Sequence, residues 1–118
     1  MIIGLGTDLV ETARIKEAIA NNARFVAKLL TDKELSTYQE MHNEKRQIEF
    51  VAGRWAAKEA FAKAYGTGIS SQLHFHDIEV SNDYQHKPLI ICNKVTSPIH
   101  ITISHTDHYA TATVIIED

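Results

Sequence analysis

The sequence predicts an α+β fold in a single domain over residues 1–118, with an antiparallel sheet packed against one long helix plus short helices. Residues 44–65 place apolar side chains at helical spacing and contain many alanines, which is typical of a central helix. Residues 99–105 and 109–116 alternate apolar and polar side chains around a short polar link, which predicts an antiparallel hairpin. A chain of 118 residues, 44% of them hydrophobic, can bury one core but not two.

The chain opens with a predicted strand over residues 2–10, which are rich in Ile, Leu and Val. Alternate residues of a strand point to opposite faces, so Gly4, Gly6 and Asp8 share one face. Because glycine has no side chain, this face would allow a helix to approach the strand closely. Asp8 would then lie next to that helix.

Short helices are predicted over residues 11–40, where the apolar pattern becomes helical. One of them opens with a capping box, in which Thr31 is the cap and Glu34 stands at the third helical position. The long helix is predicted to end at Gly66, with Gly68 close behind, since glycine adopts the left-handed conformation that ends helices. Both glycines also expose backbone N–H groups.

The pattern changes to β structure after residue 70, with further strands predicted over residues 76–80 and 88–92. His74 and His76 would share a face of the first of these strands. No cysteine or third-ligand pattern accompanies them, so a zinc site is not expected. Cys92 follows Leu and Ile residues, which indicates a core thiol rather than a nucleophile.

Charge and composition argue against several classes of function. The formal net charge is −3 at pH 7, whereas general nucleic-acid binders usually carry an excess of basic residues. The N-terminal segment does not resemble a signal peptide, and no run of about 18 apolar residues occurs. The single cysteine permits no internal disulfide, which suits a reducing compartment. We therefore expect a soluble, cytoplasmic protein that binds neither nucleic acid nor membranes.

Two carboxylates stand in unusual positions, Asp8 near the end of the first strand and Glu59 inside the long helix. Mg²⁺ is typically held by one or two carboxylates together with waters and substrate phosphates. If the long helix packs across the first strand, the pair would meet and could form such a site. The simpler interpretation is that Glu59 forms a salt bridge with Lys63 one turn later, and that Asp8 is a strand-end turn residue.

Positive charge is concentrated near the glycines that end the long helix. Arg54, Lys58 and Lys63 supply cations there, and cations combined with free backbone donors bind phosphates, although the glycine spacing matches no standard phosphate-binding fingerprint. In the predicted hairpin, His105 is a candidate phosphate or substrate contact, or a plain polar turn residue. Ser104 and His105 are neighbours on a strand and point to opposite faces, so a serine hydrolase is not indicated.

Three sequence blocks, taken together, indicate a family. They are residues 6–11 (GTDLVE) with Arg14, residues 54–60 (RWAAKEA) with Lys63 and Gly66, and residues 103–106 (ISHT) before the alanine-rich last strand. In this order and spacing, and in a chain of this size, they resemble the holo-acyl-carrier-protein synthases, the small bacterial branch of the phosphopantetheinyl transferases. The resemblance covers essentially the whole chain and implies one phosphopantetheinyl transferase domain over residues 1–118.

The resemblance implies a reaction and roles for the site residues. The phosphopantetheine group would pass from coenzyme A to a serine of apo acyl carrier protein, giving holo acyl carrier protein and adenosine 3′,5′-bisphosphate, a step of fatty acid biosynthesis. Asp8, Glu59 and Lys63 would be catalytic, with Mg²⁺ bound by the two carboxylates. The residues expected to contact coenzyme A are Arg54, Gly66, Gly68, Ile69, His105 and Thr106. Those expected to meet the acidic carrier protein are Arg14, Arg24, Phe25 and Lys28, on the first helical segment.

The resemblance further implies a homotrimer with its cofactor clefts between neighbouring subunits. Two positions depart from the common family pattern. Trp55 stands where Phe is common, which should alter packing only. His86 stands where many relatives have Gly, in the turn before Pro88.

Two other classes of function fit parts of the sequence. Residues 14–28 carry four basic residues and one acidic residue, so a non-catalytic module could dock an acidic protein there. Such a module predicts no dependence on Mg²⁺. A different Mg²⁺-dependent phosphoryl-transfer enzyme that acts on a nucleotide would share the carboxylate pair but would need no carrier protein.

Overall fold

Five strands and four α-helices make up the computed structural model, which describes residues 1–118. In chain order they are β1 (Ile2–Glu11), α1 (Thr12–Asn21), α2 (Phe25–Leu29), α3 (Asp32–Gln39), α4 (Glu44–Tyr65), β2 (Glu79–Asn82), β3 (Pro88–Ile91), β4 (Ile99–His105) and β5 (Tyr109–Glu117). A short 3₁₀ helix, Phe75–Asp77, precedes β2. The predicted α+β architecture with one long helix is confirmed. None of the helices combines the length and apolar character needed to cross a membrane.

The strands form two antiparallel sheets rather than one. The larger sheet has the order β1-β5-β4, and the smaller one pairs β2 with β3. The predicted hairpin is confirmed as β4 and β5, which pair along their length. Strand β1 pairs with the other side of β5, and Asp8 lies opposite Ala112 in that ladder. Asp8 therefore stands on an edge strand of the larger sheet.

Strand β2 begins later than the sequence pattern predicted. The backbone N–H of His74 donates a hydrogen bond of 2.8 Å to Asp77 Oδ2, which stabilises the helical turn between them. A carboxylate that accepts from a backbone N–H in this way favours a helical turn over an extended strand. The prediction that His74 and His76 share a strand face is therefore wrong. His76 Nε2 instead lies 2.7 Å from the carbonyl oxygen of Ala27.

Helix α4 lies across β1 in direct backbone contact. A Cβ atom placed on Gly6 would lie 2.0 Å from the carbonyl oxygen of Ala60, and one on Gly4 would lie 2.3 Å from that of Ala64. No side chain fits in either space. The expectation that these glycines admit a helix is confirmed. The same face of β1 carries Asp8, which is thereby brought against α4.

Helix α4 begins and ends where the sequence predicts. The side chain of Asn43 caps its start by accepting a hydrogen bond of 3.0 Å from the backbone N–H of Arg46. Gly66 ends it in the left-handed conformation, with φ of 110°. Most alanines of α4 are buried in a core shared with both sheets, and this core includes the free thiol of Cys92. The interpretation of Cys92 as a core thiol is confirmed.

His86 adopts a left-handed backbone conformation, with φ of 65°, in the turn between β2 and β3. A side chain in this conformation costs about 1 kcal/mol, which glycine would remove. Glycine also adds entropy to the unfolded chain, which offsets part of that gain. We therefore expect His86→Gly to raise the free energy of unfolding by about 0.5 kcal/mol. Gln85→Gly, at the neighbouring position with no positive φ, should lower it by a similar amount. Urea denaturation of both variants measures the difference. A loss of stability in His86→Gly would contradict this prediction.

Candidate active site

Asp8 and Lys63 form an ion pair where β1 crosses α4. Lys63 Nζ donates hydrogen bonds to Asp8 Oδ1 at 3.1 Å and to the carbonyl oxygen of Thr7 at 2.9 Å. The Asp8 side chain is only 15% exposed. Its second carboxylate oxygen, Oδ2, is buried and has no hydrogen-bond partner. Since a buried oxygen of this kind is costly without a partner, it is suited to receive a cation or a donor from a ligand.

Glu59 lies half-buried on α4, one turn before Lys63. Burial raises the pKa of Glu59, the charge of Asp8 raises it further, and Lys63 opposes both effects. The simpler interpretation of a salt bridge between Glu59 and Lys63 is wrong, because Lys63 pairs with Asp8 instead. The packing of α4 across β1 thus brings two carboxylates and one ammonium group together, and their summed charge favours a cation.

The two carboxylates suit a hard divalent cation that keeps several ligands of its own. No group of three or more His, Cys, Asp or Glu side chains is arranged to hold a metal ion. Mg²⁺ needs no such cage, since it is usually bound by one or two carboxylates plus waters and phosphate oxygens. The unpartnered Oδ2 of Asp8 beside Glu59 fits that donor set.

A groove of about 350 Å³ leads from Asp8 along α1. Arg14 and Phe25 line it, and so does Trp55, whose ring lies 5.8 Å from that of Phe25. The groove is open to solvent and mostly apolar, and both Asp8 and the basic side chain of Arg14 border it. A chain segment that enters it would therefore reach Asp8.

The four residues expected to meet a carrier protein are divided between two helices. Arg14 lies on α1, whereas Arg24, Phe25 and Lys28 lie at the start and along α2. The sequence interpretation placed them on one helical segment, and this is wrong. The chain breaks between the helices, where the side chain of Asn22 accepts a hydrogen bond of 3.0 Å from the backbone N–H of Arg24. Both helices nevertheless border the same groove.

Arg54 points away from the carboxylate pair. It stands five residues before Glu59 on α4, which is a rotation of about 140° around the helix. One of its terminal nitrogens lies 3.4 Å from Asn82 Oδ1, and its guanidinium carbon lies 4.1 Å above the ring of Phe50. Its Nε atom is buried without a partner, and burial lowers the pKa of Arg54. Arg54 and Asp8 therefore do not meet within one chain.

Lys58 takes no part in the surface cluster in which the sequence placed it. Its side chain is fully buried, and Nζ donates to Glu34 Oε1 and to the carbonyl oxygen of Leu29, both at 2.6 Å. The prediction that Lys58 joins Lys63 beside the glycines is wrong. Lys58 lies on the face of α4 that packs on the short helices, whereas Lys63 faces β1 and solvent.

The remaining residues expected to contact coenzyme A lie at two other places. His105, at the end of β4, has its Nδ1 atom 3.5 Å from Glu49 Oε2. Thr106 closes the hairpin, since its hydroxyl oxygen accepts hydrogen bonds from the backbone N–H groups of His108 and Tyr109. The ladder sets His105 opposite Ala110, which lies opposite Val10, so His105 is two strands away from β1.

The loop after α4 is open. Gly66 and Gly68 both have positive φ, 110° and 65°, and a Cβ atom on either would meet nothing within 4 Å. Ile69 packs partly against the main core. The backbone N–H groups of Gly66 and Gly68 both donate to the carbonyl oxygen of Ala62, at 3.0 and 3.1 Å. The prediction that they are free donors is therefore wrong, although the turn itself is open to a ligand about one helical turn after Lys63.

A sequence model of the 4′-phosphopantetheinyl transferase superfamily matches residues 4–114 of the chain. The chain belongs to this superfamily. Curated relatives with high similarity include the holo-[acyl-carrier-protein] synthases of Anoxybacillus flavithermus, 50% identical over 117 residues, and of Bacillus subtilis, 50% identical over 118 residues. Each alignment covers 99% of this chain and 97% of the relative. The family indicated by the three sequence blocks is confirmed, and the chain is a phosphopantetheinyl transferase.

Solved structures agree with this membership. The holo-(acyl-carrier-protein) synthase of Bacillus anthracis, in complex with CoA (3′,5′-ADP), superposes with a TM-score of 0.91 at 40% identity, over 98% of this chain and 96% of that one. The Helicobacter pylori synthase, in complex with coenzyme A, gives 0.82 at 28% identity, over 96% and 99% of the two chains. The fold of this phosphopantetheinyl transferase is therefore that of the synthases.

This transferase also has a pocket lined by basic side chains, which the sequence interpretation missed. It measures about 360 Å³, and Arg46, Phe50, Arg54 and His86 line it. The signal was present in the sequence, since Arg46, Phe50 and Arg54 recur at intervals of four and so share one side of the predicted helix.

Proposed function

We propose that the protein is a holo-acyl-carrier-protein synthase, which transfers phosphopantetheine from coenzyme A to a serine of apo acyl carrier protein. The observation that carries this proposal is the cluster of Asp8, Glu59 and Lys63, of which Asp8 borders an open groove. The names of the relatives and the coenzyme A complexes of the similar structures support it. Residues 1–118 would form one phosphopantetheinyl transferase domain.

In the proposed reaction the serine oxygen attacks the phosphorus nearest pantetheine. A new P–O bond forms to serine, the bridging P–O bond of the diphosphate breaks, and adenosine 3′,5′-bisphosphate leaves with the electron pair. The serine gives up its proton to Glu59 or to a water beside it. Phosphoryl transfer needs positioning and neutralised charge more than covalent help from the protein.

Asp8 and Glu59 would hold Mg²⁺, with Asp8 Oδ2 as the oxygen that has no other partner. When bound, the ion would neutralise negative charge on the diphosphate. Lys63 is 52% exposed, and Asp8 and Thr7 use two of the three donor positions of its ammonium group. The third position, on a flexible stem, can reach a phosphate oxygen of the leaving group from beside Asp8.

The coenzyme contacts are proposed for both sides of α4. Arg54 lies on the far side from Asp8, and His105 lies two strands from β1, so one chain does not assemble them around a single ligand. Gly66, Gly68, Ile69 and Thr106 border solvent-accessible turns. A neighbouring copy of the chain that supplies the Arg54 side of its own α4 would complete the cleft. The predicted homotrimer would place such a copy beside each chain.

The outer face of β1 supports self-association. Ile3, Leu5 and Leu9 are 57%, 65% and 64% exposed there, side by side on an edge strand. An apolar strip of this kind on a soluble protein commonly marks an interface. We infer that β1 faces the neighbouring subunits of the trimer. Assignment to the cytoplasm and to fatty acid biosynthesis stays a prediction.

The carrier protein would dock on α1 and α2. Arg14, Arg24 and Lys28 would pair with acidic side chains, and Phe25 would pack beside the groove that leads to Asp8. Complementary charge increases the rate of encounter and fixes orientation. This arrangement would deliver the carrier serine to the carboxylate pair.

The intact mass of a bacterial apo acyl carrier protein tests the function directly. After incubation with the protein, coenzyme A and Mg²⁺, we expect a gain equal to one phosphopantetheine, no gain for a carrier whose acceptor serine is replaced by alanine, and loss of the gain with a chelator. A non-catalytic module would give no gain under any condition. Release of adenosine 3′,5′-bisphosphate without modification of the carrier would indicate a different nucleotide-directed enzyme.

A further inference from the structure

Lys58 is a fully buried lysine whose ammonium group joins three separate parts of the chain. Nζ donates to the carbonyl oxygen of Leu29 at 2.6 Å, to Glu34 Oε1 at 2.6 Å and to the carbonyl oxygen of Phe75 at 3.2 Å. All three donor positions of the ammonium group are used. The side chain is 0% exposed, so none of these bonds competes with water.

Glu34 extends this cluster to two further elements. Its Oε1 atom also accepts from the backbone N–H of Thr31 at 2.8 Å, and its Oε2 atom accepts from that of Val80 at 2.7 Å. The Lys58–Glu34 pair therefore connects α4 with the end of α2, the start of α3, the 3₁₀ turn and β2. Each connection is a directional hydrogen bond to backbone or to a buried charge.

Helix α2 depends on such connections because it is short. It has five residues, and a helix of this length is not stable by itself in water. The carbonyl oxygen of Leu29 lies in its last turn, where helical carbonyls lack intrahelical partners. Lys58 supplies that partner. At the start of α2, four residues before Leu29, the ring of Phe25 packs on Trp55, which lies one turn before Lys58 on α4.

A buried ion pair is not a simple source of stability. Removing two charges from water is costly, and apolar side chains of similar size often serve as well or better. An ammonium group with three fixed acceptors instead sets the orientation of the chain segments that it joins. Lys58 is the neighbour of Glu59 in the chain, so it connects α2 to the segment of α4 that carries a proposed metal ligand.

We propose that Lys58 is a positioning residue that holds α2, and with it the carrier-docking side chains Arg24, Phe25 and Lys28, at a fixed place relative to Glu59. This inference rests on the proposed function. Lys58 itself is buried and touches neither substrate. Its loss should therefore weaken use of the carrier protein while use of coenzyme A is preserved.

The test compares Lys58→Met with Lys45→Met. Lys45 is an exposed lysine on the same helix and pairs with Asp107. For Lys58→Met we expect the KM for the carrier protein to rise about tenfold or more, which corresponds to about one displaced contact to a charged group. The KM for coenzyme A should stay within about twofold of wild type, since α2 carries no coenzyme contact. Lys45→Met should leave both KM values unchanged.

Lys58→Met leaves the Glu34 carboxylate buried without its cation, so this variant can fail to fold. Lys58→Arg keeps a cation opposite Glu34 but cannot reproduce the three-acceptor geometry, and it should show the same selective rise in carrier KM. If a folded variant has a lower Tm but unchanged carrier KM, or if both KM values rise together, the positioning role is overturned.

Trp55 offers a readout that does not depend on catalysis. It is the only tryptophan, and its ring lies between those of Phe25 and Phe75, at 5.8 and 5.4 Å. Displacement of α2 should raise the quenching of Trp55 by acrylamide in the Lys58 variants but not in Lys45→Met. If wild type modifies no carrier, the proposed function fails whatever Trp55 shows. If wild type is active and Trp55 is unchanged in folded Lys58 variants, only the present inference fails.

Discussion

Replacing Asp8 by Asn and Glu59 by Gln in one chain should lower kcat/KM for carrier modification by about 1,000-fold or more. The two carboxylates are brought together by the crossing of β1 and α4, and Asp8 Oδ2 has no partner in the protein. A bound divalent cation supplies several kcal/mol to the neutralisation of charge in such a transfer, and each 1.36 kcal/mol changes the rate about tenfold. The amides keep the shape of the site but remove its charge. Intact-mass time courses at saturating coenzyme A measure the loss.

Glu59→Gln alone should fold and should not lose stability. The pKa of Glu59 is raised by burial and by Asp8, so the folded chain holds this proton more tightly than the unfolded chain does. A raised carboxyl pKa contributes stability only at low pH, and that contribution is lost as the pH rises through the folded-state value. At neutral pH the ionised Glu59 therefore opposes folding, and glutamine removes that effect. Thermal melts at pH 7 should give an unchanged or higher Tm for Glu59→Gln alone.

A charge-matched control distinguishes the effect of losing the carboxylate pair from the effect of changing the net charge. Glu44→Gln with Asp118→Asn removes the same charge at exposed positions outside the site. This control should keep near wild-type activity. If the Asp8 and Glu59 variant retains most of its activity at saturating Mg²⁺, the carboxylate pair is not the metal site. If the control is equally impaired, the loss reflects net charge rather than position.

The features that the sequence predicted well are those encoded locally. Helix α4 was placed correctly because a run of alanines at helical spacing stops at Gly66, where the left-handed conformation ends a helix. The hairpin of β4 and β5 was placed correctly because its strands alternate and are joined by a short polar link. The capping box of Thr31 and Glu34 forms as predicted, since both of its hydrogen bonds lie within four residues.

The features that the sequence left open depend on contacts between distant segments. Lys58 and Lys63 stand five residues apart on the same helix, and nothing local indicates that one is buried against α2 while the other reaches Asp8. The pairing of Lys63 with Asp8 rather than with Glu59 follows only once α4 crosses β1. Whether Glu59 lies near Asp8, as a metal site requires, or pairs with Lys63 on the surface therefore depends on tertiary packing.

The positive charges were harder to predict for the same reason. Arg54 and Glu59 lie in one sequence block, yet the helix turns them to different sides. Sequence spacing predicted that α4 carries cations but did not predict which cavity each one lines. The pocket around Arg46 and Arg54 is also lined by Asn82 of β2 and by His86 of the turn after it, which the spacing of residues on α4 does not predict.

Gly6→Ala should be the most damaging of the single methyl additions and should impair both folding and activity. The added Cβ would lie 2.0 Å from the carbonyl oxygen of Ala60 and 2.8 Å from the backbone nitrogen of Ala64. Both atoms are backbone, so no side-chain rotation can relieve the overlap and α4 must move away from β1. Overpacking typically costs 1–3 kcal/mol, and we expect a loss of about 3 kcal/mol in the free energy of unfolding here. The separation of Asp8 from Glu59 should also lower kcat in the fraction that remains folded.

Gly53→Ala is the matched control, because the same methyl group should have the opposite effect there. Gly53 is buried in the interior of α4, and a Cβ would meet only Ile103 Cγ2, at an ordinary distance of 3.5 Å. Since glycine inside a helix is about 1 kcal/mol less favourable than alanine, Gly53→Ala should raise the free energy of unfolding by up to that amount. Urea denaturation of the two variants side by side measures both signs. A stable, fully active Gly6→Ala would show that β1 and α4 do not need this contact, and the reason given for the meeting of Asp8 and Glu59 would then be wrong.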